Sequence, residues 1–182
     1  MKNSGNYDQK IINLFYHDNI RSQDFIDRCL LLGDIYIDLL SPKSNKVKFE
    51  MSVANDYPNH DLKELLGDLL PHAYLEQKRS GKPEPYFLEI LGNIPITRMR
   101  QRIKKYLAFH QGSEWEAQTK EDFPSILMIC PNDQIFYYIK RYLKRKPAEF
   151  DEPQMTINLT TVDKVKEFGI VGDIWTTVKA KI

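Results

Sequence analysis

A carboxylate inside an apolar strand is the first residue of this chain that asks for chemistry. Tyr86-Phe-Leu-Glu-Ile-Leu91 is almost continuously apolar, yet it carries Glu89 at its centre. Burying a charge is costly unless it is paired or bound to a metal. Two outcomes satisfy that requirement. Glu89 pairs with a cation on the following helix, with Arg98 and Arg102 in range, or it joins other strand-borne acids around a divalent ion. Glu50 lies on a strand-like segment upstream, and Glu76 closes another. Acids from adjacent strands suit Mg²⁺, which takes oxygen ligands and keeps several waters. Such an ion would polarise a phosphate and activate water for hydrolysis. The pattern therefore leaves open a cofactor-free ion pair or a Mg²⁺ site using Glu50 and Glu89.

Two clusters of cations form the second signal. Arg98, Arg100, Arg102, Lys104 and Lys105 fall in one helical segment, and Lys140, Arg141, Lys144, Arg145 and Lys146 in another. They are either solvated helix faces or contacts for a nucleic-acid backbone, where Lys and Arg give salt-dependent, sequence-independent affinity. Arg98, Arg102, Lys105, Lys140, Arg141, Lys144 and Arg145 are the candidate DNA contacts.

Other chemistries have no signature. No glycine-rich phosphate loop, GxSxG elbow or HExxH pattern occurs. Cys29 and Cys130 are far apart and outside any Cys/His cluster, so both read as buried free thiols of a reducing cytosol. His17, His60, His72 and His110 lack ligand-like spacing.

The elements that must position these residues follow from hydrophobic period. Asp8 to Tyr16 reads as a short helix. Ser22 caps a second, with Phe25, Ile26, Cys29 and Leu30 inward and Gly33 as its stop. Asp34 to Leu40 is β-rich and, with Lys46 to Ser52, looks like a hairpin. Leu62 to Leu66 is a short helix or turn, Leu70 to Gln77 a strand, Lys78 to Pro85 a turn, and Tyr86 to Leu91 a central strand. Thr97 to Gln111 is a helix with Met99, Ile103, Tyr106 and Leu107 inward. Gly112 to Asp122 is a polar loop and Phe123 to Cys130 a buried strand. Asp133 to Lys146 is a helix with Ile135, Ile139, Tyr142 and Leu143 inward. Thr156 to Thr161 is a strand, Val162 to Phe168 a helix, and Gly169 to Val178 a closing strand or tail. This order predicts an α/β fold, with one mixed sheet flanked by helices and a parallel crossover from Tyr86 to Cys130.

The 182 residues suit a single domain. Within it, residues 1–24 form a helical extension, 25–146 the core, and 147–182 the C-terminal strand, helix and tail. With 42% hydrophobic and 12% aromatic residues the chain is globular, and at a net charge of +1 any nucleic-acid signal must be local. The N-terminus MKNSGNYDQK lacks an apolar core, and no run approaches the ~18 residues of a membrane span. A cytoplasmic protein with no membrane partner is expected.

The succession LLPHAYLEQ (69–77), YFLEIL (86–91), RIKKYLAFHQG (102–112) and FPSILMICPND (123–133) resembles the replication-relaxation family of plasmids and other mobile elements. RCLLLGDIYIDL (28–39) resembles that family's helix-into-strand entry, and Glu50 falls where a Glu-bearing strand is expected. The family is similar in fold to PD-(D/E)XK nucleases. The resemblance implies a restriction-endonuclease-like core, DNA as partner, and association with a replication or transfer protein. It places His72, Glu89 and Glu50 at the catalytic positions of a nuclease. It also implies a weakened site: His72 stands at the aspartate position, and Leu91 stands where a lysine belongs. The expectation is a DNA-binding accessory or regulatory protein with an incomplete active site. The competing expectations are a metal-dependent endonuclease and a protein-interaction domain whose basic helices dock an acidic partner.

Overall fold

A computed structural model of the chain describes residues 22–40, 48–53, 60–79, 82–144 and 154–180. Helix α1 spans Gln23–Leu40, β1 Lys48–Val53, α2 His60–Leu66, β2 Ala73–Arg79, β3 Lys82–Ile90, α3 Ile96–Gln111 and α4 Glu114–Thr119. They are followed by β4 Ser125–Cys130, α5 Asp133–Lys144, β5 Met155–Thr161, α6 Val162–Phe168 and β6 Thr176–Ala180. A single 3₁₀ turn, Gly67–Leu69, leads from α2 towards β2.

The six strands make one sheet in chain order. β1, β2 and β3 form an antiparallel meander. β4 and β5 then add in parallel, and β6 closes the sheet antiparallel to β5. The fold is thus α/β with one mixed sheet, as the alternation of elements led us to expect. The parallel pairing of β3 with β4 places α3 and α4 in the crossover from Tyr86 to Cys130.

Alternate residues of the central strands feed two cores. Phe87, Ile126, Met128, Ile157 and Leu159 face Met99, Ile103 and Tyr106 of α3 and Phe136, Ile139 and Leu143 of α5. Leu75, Leu88, Ile90, Leu127 and Ile129 face Leu31, Ile35 and Leu39 of α1 and Val165 of α6. Burial on both faces explains why β3 and β4 read as continuous apolar runs. It also separates the helices: α3 and α5 cover one side, α1 and α6 the other.

Several local expectations are corrected. Asp34 to Leu40 is the second half of α1, not a hairpin strand. Its β-branched and aromatic content suits a strand, but as a helix it joins Ile35 and Leu39 to Leu31 in one stripe at steps of four that the sheet buries, continuous with the turns before it. Packing on the sheet overrides the weak local preference. Gly33 accordingly lies within the helix and does not stop it, and β1 finds its partner in β2. The longer stripe also turns the predicted one around: Ile26 and Leu30 face outward, and Cys29 is exposed, not buried. The polar loop after α3 contains α4, whose Trp115 packs edge-on against Phe87 at 5.3 Å.

The expected turn from Lys78 to Pro85 is mostly strand, with Arg79 opposite Lys82. Pro83 and Pro85 are tolerated because Leu88 bonds toward β2, so residues of odd number in β3 turn their backbone nitrogens toward β4. That ladder begins only at Tyr86, and no hydrogen bond is forfeited. Helices at 60–66, 96–111 and 162–168, and strands at 48–53, 73–79, 125–130 and 155–161, lie where their periodicity puts them, within a few residues. The expected helix from Asp8 to Tyr16 lies outside the described residues.

Candidate nucleic-acid interface and the buried Glu89 site

Glu89 enters the core because its strand cannot bury Phe87 without also burying the next residue on that face. It is 3% exposed, against the flank of α3. α3 answers with two residues one turn apart. Arg102 Nε donates to Glu89 Oε1 at 3.0 Å and Nη2 donates to Oε2 at 2.9 Å. The Tyr106 hydroxyl donates to Oε2 at 2.7 Å. Positions i and i+4 of a helix share a face, so one strand carboxylate receives both side chains.

The guanidinium is itself enclosed by acceptors. Nη2 donates to the Leu70 carbonyl at 2.6 Å and Nη1 to the Asp68 carbonyl at 3.2 Å. These carbonyls belong to the turn leading into β2, so the ion pair ties α3, β3 and the β2 entry together. His72 completes the cluster, with Nδ1 3.5 Å from Glu89 Oε1. That nitrogen accepts the Ile90 N–H at 3.2 Å. It holds a lone pair toward Ile90, and Arg102 is the cation that matches the carboxylate.

Burial alone would push the Glu89 carboxyl up. Arg102 opposes it, and with a proton on the His72 imidazole the two contacts outweigh burial and hold the carboxyl down at about 2. Glu89 is therefore an anion whose oxygens are already hydrogen-bonded. Of the two outcomes open from the sequence, this is the pairing with the following helix, through Arg102; Arg98 is exposed.

Glu50 is elsewhere. It sits opposite Glu76, which sits opposite Pro85, four residues before Glu89 on β3. Two strand spacings and four residue rises put the Glu50 and Glu89 backbones about 16 Å apart. The exposed Glu50 carboxylate accepts a hydrogen bond from Lys78 Nζ. Among the described residues no three His, Cys, Asp or Glu side chains group as metal ligands would. The donors of the expected Mg²⁺ site do not fit a shared ion: one carboxylate is spent on Arg102, the other lies two strands away.

The candidate DNA contacts divide as well. Arg98 and Lys105 are exposed on α3, as is Lys104. Arg102 is turned inward, and Arg100 lies over the rings of Tyr138 and Tyr142 at 5.1 and 5.4 Å. On α5, Arg141 and Lys144 are exposed, and Lys140 is half-buried with Nζ over the Phe136 ring at 5.6 Å. Arg145 lies outside the described residues. The stacking of Arg100 on α5 tyrosines shows α3 and α5 side by side, so their free cations share one surface.

That surface is predominantly basic. α3 contains no Asp or Glu, and α5 contains Asp133 alone. Across the sheet, α1 carries Asp24, Asp27, Asp34 and Asp38 against a single cation, Arg28. A net charge of +1 thus conceals a basic face and an acidic face. Composition could not show this separation, because it depends on which side of the sheet each helix covers. The role of Tyr106 was also hidden, since at its position in the apolar stripe it reads as core.

Among the described residues no helix is long and apolar enough to cross a membrane. No protein-family model, curated protein or solved structure matches the chain.

Proposed function

We propose that this chain binds the phosphate backbone of DNA through the surface of α3 and α5, without cutting it. One observation carries the reading: Arg98, Lys104, Lys105, Arg141 and Lys144 are exposed on two neighbouring helices whose only acid is Asp133. Such a field attracts a polyanion from a distance and fixes it without reading its bases. The α/β fold with a single mixed sheet is compatible with the nuclease-like core that the sequence resembles. The engagement of Glu89 by Arg102 and of Glu50 by Lys78 favours a binding role over metal-dependent hydrolysis. In this reading the protein is an accessory or regulatory factor in replication or mobilisation of a mobile element, working in the cytoplasm beside a replication or transfer protein.

The test is fluorescence anisotropy with a labelled duplex at low salt. Wild-type protein is expected to bind, and the triple variant Lys105→Glu/Arg141→Glu/Lys144→Glu to lose binding while keeping its circular dichroism spectrum. Absence of binding to both duplex and single strands at low salt would overturn the proposal. Equal binding by the triple variant would move the contact away from α3 and α5.

A further inference from the structure

On the acidic side of the sheet, α1 presents a second surface with a different character. Ile26, Leu30, Ile37 and Leu40 are exposed at 41%, 63%, 68% and 65%. With the exposed Gly33 they fall at steps of four, three, four and three. That is the spacing of a coiled-coil seam, two heptads long. The seam is distinct from the Leu31, Ile35 and Leu39 stripe that holds α1 on the sheet. Beside it runs an open groove of about 740 Å³ between α1 and β1, lined by Cys29, Leu32, Gly33, Tyr36, Met51 and Val53 among others. Six of the ten large hydrophobics exposed among the described residues lie on these two elements. An exposed apolar concentration of this kind marks an interaction site and not ordinary surface scatter.

The charges beside the seam select its occupant. The exposed charged residues of α1 are Asp27 and Asp34, each one position after a seam residue. Arg28 is committed to Asp24 at 2.6 Å. A second copy packed antiparallel with Leu30 against Gly33 of the other copy would set Asp27 close to Asp34, twice. A parallel copy would set the same carboxylates beside Cys29 and Tyr36. Each copy offers only Lys166 of α6, one cation against the two exposed carboxylates whose pocket it lines. An incoming helix with Leu or Ile at heptad spacing and Lys or Arg flanking it supplies both the apolar knobs and the countercharge. At the midpoint, a Cβ placed on Gly33 would meet nothing within 4 Å, which leaves room for a large side chain of the visitor.

We infer that the outward face of α1 docks a basic amphipathic helix of a partner protein, laid along Ile26, Leu30, Gly33, Ile37 and Leu40. Docking there leaves α3 and α5 free, since they lie across the sheet. The inference stands apart from the DNA-binding reading.

The probe is a labelled peptide of about three heptads with Leu and Ile in the seam and Lys at the flanking positions. It is titrated into the full-length protein without DNA, and sedimentation velocity follows the protein alone. Saturable binding is expected. Leu30→Gln/Ile37→Gln should abolish it, and Asp27→Asn/Asp34→Asn should weaken it about tenfold with a flatter salt dependence. All four substitutions are at exposed positions, and circular dichroism checks that α1 persists. No saturable binding overturns the inference. So does binding that is indifferent to either double variant. A concentration-dependent dimer that Leu30→Gln/Ile37→Gln dissolves also overturns it, by making a second copy the occupant.

Discussion

Arg102 meets Glu89 through two different nitrogens, one to each carboxylate oxygen, at 3.0 and 2.9 Å. The pair is enclosed on one side by Tyr106 and on the other by backbone carbonyls of the β2 entry. Such a pair contributes little over an apolar replacement, but breaking it leaves an uncompensated buried charge. Arg102→Met should therefore cost about 3–5 kcal/mol, whereas Glu89→Leu/Arg102→Met should cost much less than the single change. Urea denaturation of the two variants measures the difference. Equal costs would mean that the pair itself, and not the stranded charge, supplies the stability.

The same pair makes the fold acid-sensitive. The Glu89 carboxyl sits at about 2 in the folded chain, against an ordinary value of 4.5. A depressed carboxyl contributes stability that is complete above its unfolded value and is lost as pH falls toward the folded one. The contribution, roughly 3 kcal/mol at neutral pH, should disappear between about pH 4.5 and 2. The slope of stability against pH in that window should be smaller in Glu89→Gln. A slope unchanged by the substitution would assign the acid response to other carboxylates.

Tyr106→Phe removes one donor from a buried anion while keeping the ring. The expected cost is about 1–3 kcal/mol, as for an unsatisfied buried acceptor. Because Arg102 still neutralises the charge, the loss should stay below that of Arg102→Met. Thermal denaturation of the two variants gives the ranking.

α1 is latched to the sheet at both ends by carboxylates. Asp24 accepts the Asn93 N–H at 2.8 Å, and Asp38 accepts the Ile170 N–H at 2.9 Å. A Cβ at Gly92 would overlap the Asp24 carboxylate. Gly92→Ala should expel Asp24 and destabilise by roughly 1–3 kcal/mol through lost satisfaction and strain. Hydrogen exchange should quicken at the Asn93 amide ahead of the amides of α5. Uniform exchange across the chain would mean that Asp24 is no latch.

Salt separates the DNA reading from generic stickiness. If all five free cations of α3 and α5 contact phosphates, affinity for duplex should fall on the order of several hundred-fold between 50 and 200 mM salt. Arg141→Glu should reduce the slope, while a change at the inward-facing Arg102 should act through stability. Titrations at four salt concentrations measure it. A flat dependence would point to a different contact.

Much of this was open to reading in the sequence. β3 and β4, the Met99–Ile103–Tyr106–Leu107 stripe and the anomaly of Glu89 follow from local hydrophobic period, which the chain carries whatever its neighbours do. Pairing of Glu89 with the next helix was one of two outcomes that burial physics allowed. The tertiary structure decided between them, and chose Arg102 over Arg98, because only a residue one turn before Tyr106 on that flank reaches the carboxylate. It also decided that residues 34–40 are helical, since a β-rich local pattern yields to a stripe the sheet can bury. The two basic clusters were legible in the sequence, but that they share one face opposite the acids of α1 was not. Charge along a chain becomes charge on a face only when the sheet assigns each helix a side.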